Sequence, residues 1–120
     1  LDVPGRGVGV AALRAALTRQ GAPYIWGAEG PDSFDCSGLV MWAYRQAGVI
    51  LPRSSWQQAR VGTAVTSGLQ PGDLIGLYNP VSHIGMYVGN GLYVNAPQAG
   101  DVVKVARVPW GQVTAVRRIG

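Results

Sequence analysis

Two hydrophobic periods divide this chain at about residue 72. In the first part, apolar side chains recur at three to four residues. Val8, Ala12, Leu13, Ala15, Ala16 and Leu17 form one stripe, which predicts a helix over 8–20 with Gly21 as its stop. Leu39, Val40, Ala43 and Ala47 form a second, which predicts a helix over 36–47 closed by Gly48. Between them lie an extended aromatic segment at 22–27 and a loop at 28–34. A short helix over 54–61 follows the Leu51-Pro52-Arg53 turn, with Ser54 as its N-cap.

Beyond Gln70-Pro71-Gly72 the period falls to two. Strands are expected over 73–78, 83–88, 92–95, 102–107 and 112–117, separated by turn residues such as Asn79-Pro80, Gly89-Asn90-Gly91 and Ala99-Gly100. Helices first and strands afterwards predict an α+β fold, with N-terminal helices packed on a mostly antiparallel sheet. Residues 1–120 read as one domain, with 1–7 as an irregular lead-in left from a linker.

Composition narrows the partners. A hydrophobic fraction of 48% and four tryptophans support a packed core, and 13% charged residues is too few for a disordered chain of high net charge. The net charge of +4 comes from nine arginines and one lysine scattered over positions 6 to 118. They form no basic block, so nucleic-acid binding is not expected. A mildly basic surface suits an acidic polymer such as a carboxylate-rich cell wall. No apolar run approaches the roughly 20 residues of a membrane span. Leu1 is not a natural start, which leaves room for a targeting segment cut away before it. A monomer is expected.

The chemistry centres on the single cysteine, which excludes an internal disulfide and a multi-cysteine zinc site. Asp35 has the short carboxylate of an N-cap, which puts Cys36 in the first helical turn, where free N–H groups and the helix dipole favour an anion. A thiol held there ionises more easily, and the thiolate is the reactive form. The neighbouring Asp35 carboxylate acts in the opposite sense. Cys36 is therefore the expected nucleophile.

A nucleophile needs a base, and His83 is the one histidine. On a strand, His83, Gly85 and Tyr87 face one way while Ile84, Met86 and Val88 face the other. The turn that follows decides what His83 meets. A two-residue loop at Asn90-Gly91 pairs 86 with 95 and puts Asn95 on the far face. A three-residue loop at 89–91 pairs 88 with 92 and 85 with 95, which brings Asn95 to the His83 face, diagonally across the hairpin. The longer loop completes a Cys–His–Asn arrangement in which Asn95 orients the base. Neither Cys36 nor His83 belongs to a CxxC or HExxH spacing, so no metal and no other cofactor is expected.

Several segments carry a resemblance. Tyr24-Ile25-Trp26-Gly27, Phe34-Asp35-Cys36-Ser37-Gly38-Leu39-Val40, Leu51-Pro52-Arg53-Ser54-Ser55 with Gln58, Gln70-Pro71-Gly72-Asp73-Leu74 and His83-Ile84-Gly85-Met86-Tyr87-Val88-Gly89 resemble the NlpC/P60 cell-wall peptidases. The motifs stand in the family's order over about residues 8–108. Asn95-Ala96-Pro97 and Gly100-Asp101-Val102-Val103 are similar to the mycobacterial, Rip-type branch. The resemblance implies a papain-like α+β fold. It also implies a bacterial enzyme, secreted or cell-wall associated, that hydrolyses the γ-D-glutamyl–diaminopimelate bond of peptidoglycan stem peptides. By matching position, Cys36 is the nucleophile, His83 the general base and Asn95 the orienting third residue. Tyr24 stands beside the nucleophile, Asp35 and Ser37 line the substrate groove, and Arg53, Ser54 and Ser55 lie near it. Trp26, Trp42 and Trp56 are assigned to packing, with Trp56 within reach of the groove.

The third position departs from the pattern. It is commonly histidine in this family and glutamate in the Rip-type enzymes, and here it is Asn95. An asparagine accepts from the imidazole N–H and fixes its tautomer, but it brings no charge to an imidazolium. Lower activity than a glutamate-bearing relative is expected. A peptidoglycan-binding module of little turnover is the alternative.

Overall fold

A computed structural model of the chain describes residues 3–120, so Leu1 and Asp2 of the expected lead-in lie outside the described residues. Residues 3–7 are irregular, but they are docked. Val3 is buried in the main core, and the Arg14 guanidinium donates to the Val3 carbonyl at 2.6 and 3.0 Å.

The first helix, α1 (Val8–Leu17), stops three residues before the expected end. The Thr18 N–H is shared between the Arg14 and Ala15 carbonyls, and Gly21 then donates to the Val103 carbonyl, 2.8 Å away. The chain has left the helix to pair with the far end of the sheet. Helix α2 (Cys36–Gln46) buries Leu39, Val40, Ala43 and Tyr44, close to the face its apolar spacing predicts. Helix α3 (Ser55–Gln58) has Ser54 as its N-cap in a reciprocal capping box with Gln57, as sequence suggests at that end. It does not reach residue 61. The Val61 and Gly62 carbonyls are held by the Arg117 guanidinium, and an unexpected strand, β1 (Thr63–Ala64), begins directly after.

The sheet continues with β2 (Leu74–Leu77), β3 (His83–Gly89), β4 (Leu92–Asn95), β5 (Lys104–Arg107) and β6 (Val113–Arg118). Its order is β1-β6-β2-β3-β4-β5, with every pair antiparallel. This is the α+β architecture expected. The fifth expected strand starts at Lys104 rather than residue 102, because Val102 pairs with Pro23 and ties the 22–27 segment to the sheet. Alternation along the strands separates two apolar clusters. Leu74, Ile84, Met86 and Val94 join the helices in the main core, whereas Ile75, Leu77 and Tyr93 form a smaller cluster with Val108.

The β3–β4 hairpin corrects one expectation and keeps its consequence. Gly89 pairs with Leu92 across Asn90-Gly91, whose φ values are +53° and +75°, so the loop has two residues, not three. The expected pairing of 88 with 92 is absent. A bulge at Val88 then shifts the register, so Tyr87 faces Tyr93 and Met86 faces Val94. The extra residue lies in the strand rather than in the loop, and it puts Asn95 on the face of His83.

Candidate active site

The thiol side of the site is built from the start of α2. Asp35 caps the helix, accepting from the Gly38 N–H at 2.7 Å, and its second oxygen accepts from the Gly27 N–H at 3.0 Å. Gly38 has to be glycine, since a Cβ there would run into the Ala28 carbonyl. Arg53 closes on Asp35 with both amino groups, at 3.0 and 2.7 Å, and also donates to Ser37 Oγ at 2.7 Å. Glu29 stands 3.5 Å from Arg53 Nε. Burial pushes the Asp35 carboxyl upward, but the Arg53 fork and the two N–H donors outweigh it and leave its pKa below the ordinary 3.8. Asp35 is thus an ionised carboxylate with its charge already matched.

Cys36 is half-buried. Burial pushes its thiol above the ordinary 9.0 and the Asp35 carboxylate adds to the rise, against the N–H groups of Ile84, Ser37 and Cys36 itself. The sequence left open whether the helix start or the Asp35 carboxylate prevails at the thiol, and burial decides it toward the protonated form. Burial, then Cys36 and Asp35, also raise the Tyr24 hydroxyl, which stays protonated and able to donate. Cys36 opens onto a cavity of about 560 Å³. Its wall includes Asp35, Ser37, Arg53, Ser54 and Ser55, together with Trp26, Gly27 and Ser82, which the sequence reading did not place there. Trp26 was assigned to packing, yet it is 85% exposed and stands at the lip of this cavity. Its tryptophan-glycine neighbourhood carried no signal that separates a lip from a core. Trp42 does pack, edge-on against Phe34. Trp56 lies under Arg60 and lines a different hollow with Tyr78.

The imidazole side comes from the sheet. His83 Nε2 lies 3.0 Å from Asn95 Oδ1, and Asn95 Nδ2 donates to the Lys104 carbonyl at 3.3 Å. That second bond decides which way the carboxamide points. Its oxygen faces the imidazole, so Nε2 carries the proton and Nδ1 is left with its lone pair. Asn95 is 2% exposed. Burial lowers the His83 pKa below 6.5, with the Asn95 bond working the other way. Gly85 lets the Tyr93 ring close in, since a Cβ there would overlap it, and that ring stands edge-on to the imidazole at 87°.

Two features join the sides. The Ile84 N–H favours the Cys36 thiolate, and Ile84 directly follows His83. Ser82, just before His83, lies in the wall of the Cys36 cavity and of a second cavity, of about 460 Å³, that contains His83 and Asn95. Thiol and imidazole are both neutral at rest near neutral pH. Among the described residues, no three His, Cys, Asp or Glu side chains gather into a metal-ligand set. No described helix is long and apolar enough to cross a membrane.

Comparison with known proteins matches residues 21–117 to the model of the NlpC/P60 family. A probable endopeptidase of Mycobacterium tuberculosis, Rv2190c, is 52% identical over 96 residues, which is 79% of this chain and 25% of that protein. Among solved structures, NlpC2 from Trichomonas vaginalis is 35% identical with a TM-score of 0.89, covering 98% of this chain and 49% of that one. The peptidoglycan hydrolase RipB from Mycobacterium tuberculosis is 32% identical with a TM-score of 0.83, over 92% of this chain and 64% of its own. The chain spans a quarter to under half the length of these mycobacterial and corynebacterial relatives.

Proposed function

This chain belongs to the NlpC/P60 family, and from that premise we propose that it is a cysteine endopeptidase of bacterial peptidoglycan, working outside the cell membrane on the γ-D-glutamyl–diaminopimelate bond of stem peptides. The observation that carries the reading is the His83–Asn95 pair at 3.0 Å, in a cavity that shares Ser82 with the cavity of the helix-start cysteine. Such a pair orients a neutral base toward a thiol, which hydrolysis of an amide by cysteine requires.

The reaction begins from thiol and neutral imidazole. As the Cys36 sulfur attacks the γ-carbonyl carbon, its proton passes to His83 Nδ1. Asn95 Oδ1 accepts from Nε2–H throughout and holds the ring in the plane of transfer. The developing oxyanion accepts from the Cys36 backbone N–H, with the Tyr24 hydroxyl as a second donor. Collapse breaks the C–N bond, and the imidazolium returns its proton to the departing amine. The resulting thioester is hydrolysed by a water that His83 deprotonates, which frees the acid and regenerates the thiol. Ser37, Arg53, Ser54 and Ser55 offer donors to the acyl half of the stem peptide, and the Arg53 charge is partly spent on Asp35. Because Asn95 is uncharged, the imidazolium intermediate receives less support than a carboxylate would provide.

Digestion of purified peptidoglycan tests this reading against that of a binding module of little turnover. The wild type is expected to release peptides with a new diaminopimelate amino terminus and Cys36→Ala to release none. Release of no peptide by the wild type leaves only the binding reading.

A further inference from the structure

A hollow of about 320 Å³ lies where the end of α3 meets the β2–β3 turn and β6, and no step of the reaction above uses it. Its wall holds Trp56, Arg60, Tyr78, Asn79 and Thr114. No carboxylate lines it, and Arg60 is its one charged side chain. Arg53 and Arg118 close on carboxylates, whereas Arg60 has none within ion-pair distance among the described residues. Its guanidinium is instead laid over the Trp56 ring, 4.2 Å from the centroid. The ring holds the cation in place without cancelling its charge, since it offers a quadrupole rather than an anion.

Tyr78 is the second unusual residue of this wall. Its φ is +72°, a left-handed backbone that is strained for a bulky side chain. The strand β6 side holds it there. The Tyr78 N–H donates to the Gln112 carbonyl at 2.9 Å, and the Thr114 hydroxyl donates to the Tyr78 carbonyl at 2.6 Å. Core packing does not repay the strain, because Tyr78 is 46% exposed. The conformation presents a ring at the surface instead. Thr114 Oγ1 has given its proton and keeps lone pairs for a ligand hydroxyl, and the Asn79 carboxamide both donates and accepts.

We propose that this hollow binds a pyranose bearing a carboxylate or a phosphate, as one sugar of an acidic polysaccharide. The apolar face of the sugar lies on the Tyr78 ring, its hydroxyls meet Asn79 and Thr114, and its anionic group meets Arg60. Trp56 acts through Arg60, as the platform that fixes the guanidinium. The hollow shares no residue with the Cys36 cavity and only Tyr78 with the cavity of His83 and Asn95. The site therefore goes beyond the peptidase reading and stands or falls separately from it.

NMR titration of the chain with methyl glucuronide, glucose 6-phosphate, methyl glucoside and inorganic phosphate tests the site, with the Trp56 indole N–H as reporter. The wild type is expected to bind the better of the two acidic sugars about tenfold more tightly than the neutral one, the worth of one charge-assisted hydrogen bond. It is also expected to bind that sugar more tightly than inorganic phosphate, and the two acidic sugars tell a carboxylate ligand from a phosphate ligand. Arg60→Gln is expected to bring the acidic sugars down to the level of the neutral one, whose binding stays unchanged. Tyr78→Gly is expected to weaken all three sugars while unfolding at the wild-type temperature or above it, because glycine adopts this φ freely. No binding by the wild type, equal binding of acidic and neutral sugars, or inorganic phosphate bound as tightly as either acidic sugar overturns the site. So does undiminished binding in Tyr78→Gly, or an acidic preference that survives in Arg60→Gln.

Discussion

Asp35, on the thiol side of the cleft, accepts from the Gly38 and Gly27 N–H groups and from both amino groups of Arg53. His83, on the base side, is oriented by the carboxamide of Asn95, with the edge of Tyr93 beside it. The first arrangement is charged, joins three chain segments and holds the helix start in place. The second is neutral and joins two strands that the ladder already holds together. The difference teaches that damage on the thiol side is read first as instability, and damage on the base side as altered chemistry in an intact fold.

The largest effect that tests this comparison belongs to Asp35→Ala. It removes the α2 cap and leaves the Arg53 guanidinium without its counter-charge, at a cost of about 2–3 kcal/mol. The lower part of the range for a broken ion pair applies, because the Arg53 side chain is 35% exposed and water replaces part of what is lost. Urea unfolding measures this at pH 7. Since the folded-state pKa of Asp35 lies below 3.8, its contribution is complete above that value and is lost as pH falls through the folded-state pKa. The gap between wild type and variant is therefore expected to close in acid. A variant as stable as the wild type at pH 7 removes the distinction between the two sides.

Asn95→Ala comes next. Loss of the orienting bond is expected to lower kcat/KM about tenfold, the rate equivalent of roughly 1.4 kcal/mol, with about 1 kcal/mol of stability lost. Steady-state assays on a stem peptide beside a urea titration separate the two numbers. A loss of stability as large as that of Asp35→Ala, with the rate unchanged, contradicts a mainly chemical role.

The smallest expected change, and the sharpest, is in Asn95→Glu. A carboxylate acceptor favours the imidazolium, so turnover is expected to rise severalfold. The acid limb of kcat/KM, set in the wild type by a His83 that titrates below 6.5, is expected to move to higher pH. The pH–rate profile of the two proteins decides, and an unchanged or reduced rate counts against the assignment of Asn95 as the weak point of the base.

Much of the thiol side was legible because it is local. The spacing of Leu39, Val40 and Ala43 marks a helix face, Asp35 one residue before Cys36 marks a cap, and Ser54 after the Leu51-Pro52-Arg53 turn marks another. Each depends on neighbours within a turn of backbone. The α+β class and strands β3 and β4 were legible for a similar reason, since the period of two and the Asn90-Gly91 turn are short-range signals.

The tertiary structure alone decided the rest. Helix α3 ends early because Arg117, far along the chain, captures the carbonyls of Val61 and Gly62. Trp26 lies at a cavity lip because residues 22–27 are tied to Val102 and Phe34, which no local pattern encodes. Whether Cys36 is easier or harder to ionise depends on how much protein surrounds the sulfur, and desolvation prevailed over the helix start. The hairpin shows the division most clearly. Two turn residues and a hydrophobic alternation specify a hairpin, but they do not say whether an extra residue sits in the loop or in the strand. The bulge at Val88 settles that, because placing Val94 in the helix-side core and Tyr93 in the opposite cluster requires the shifted register. That packing requirement carries Asn95 to His83.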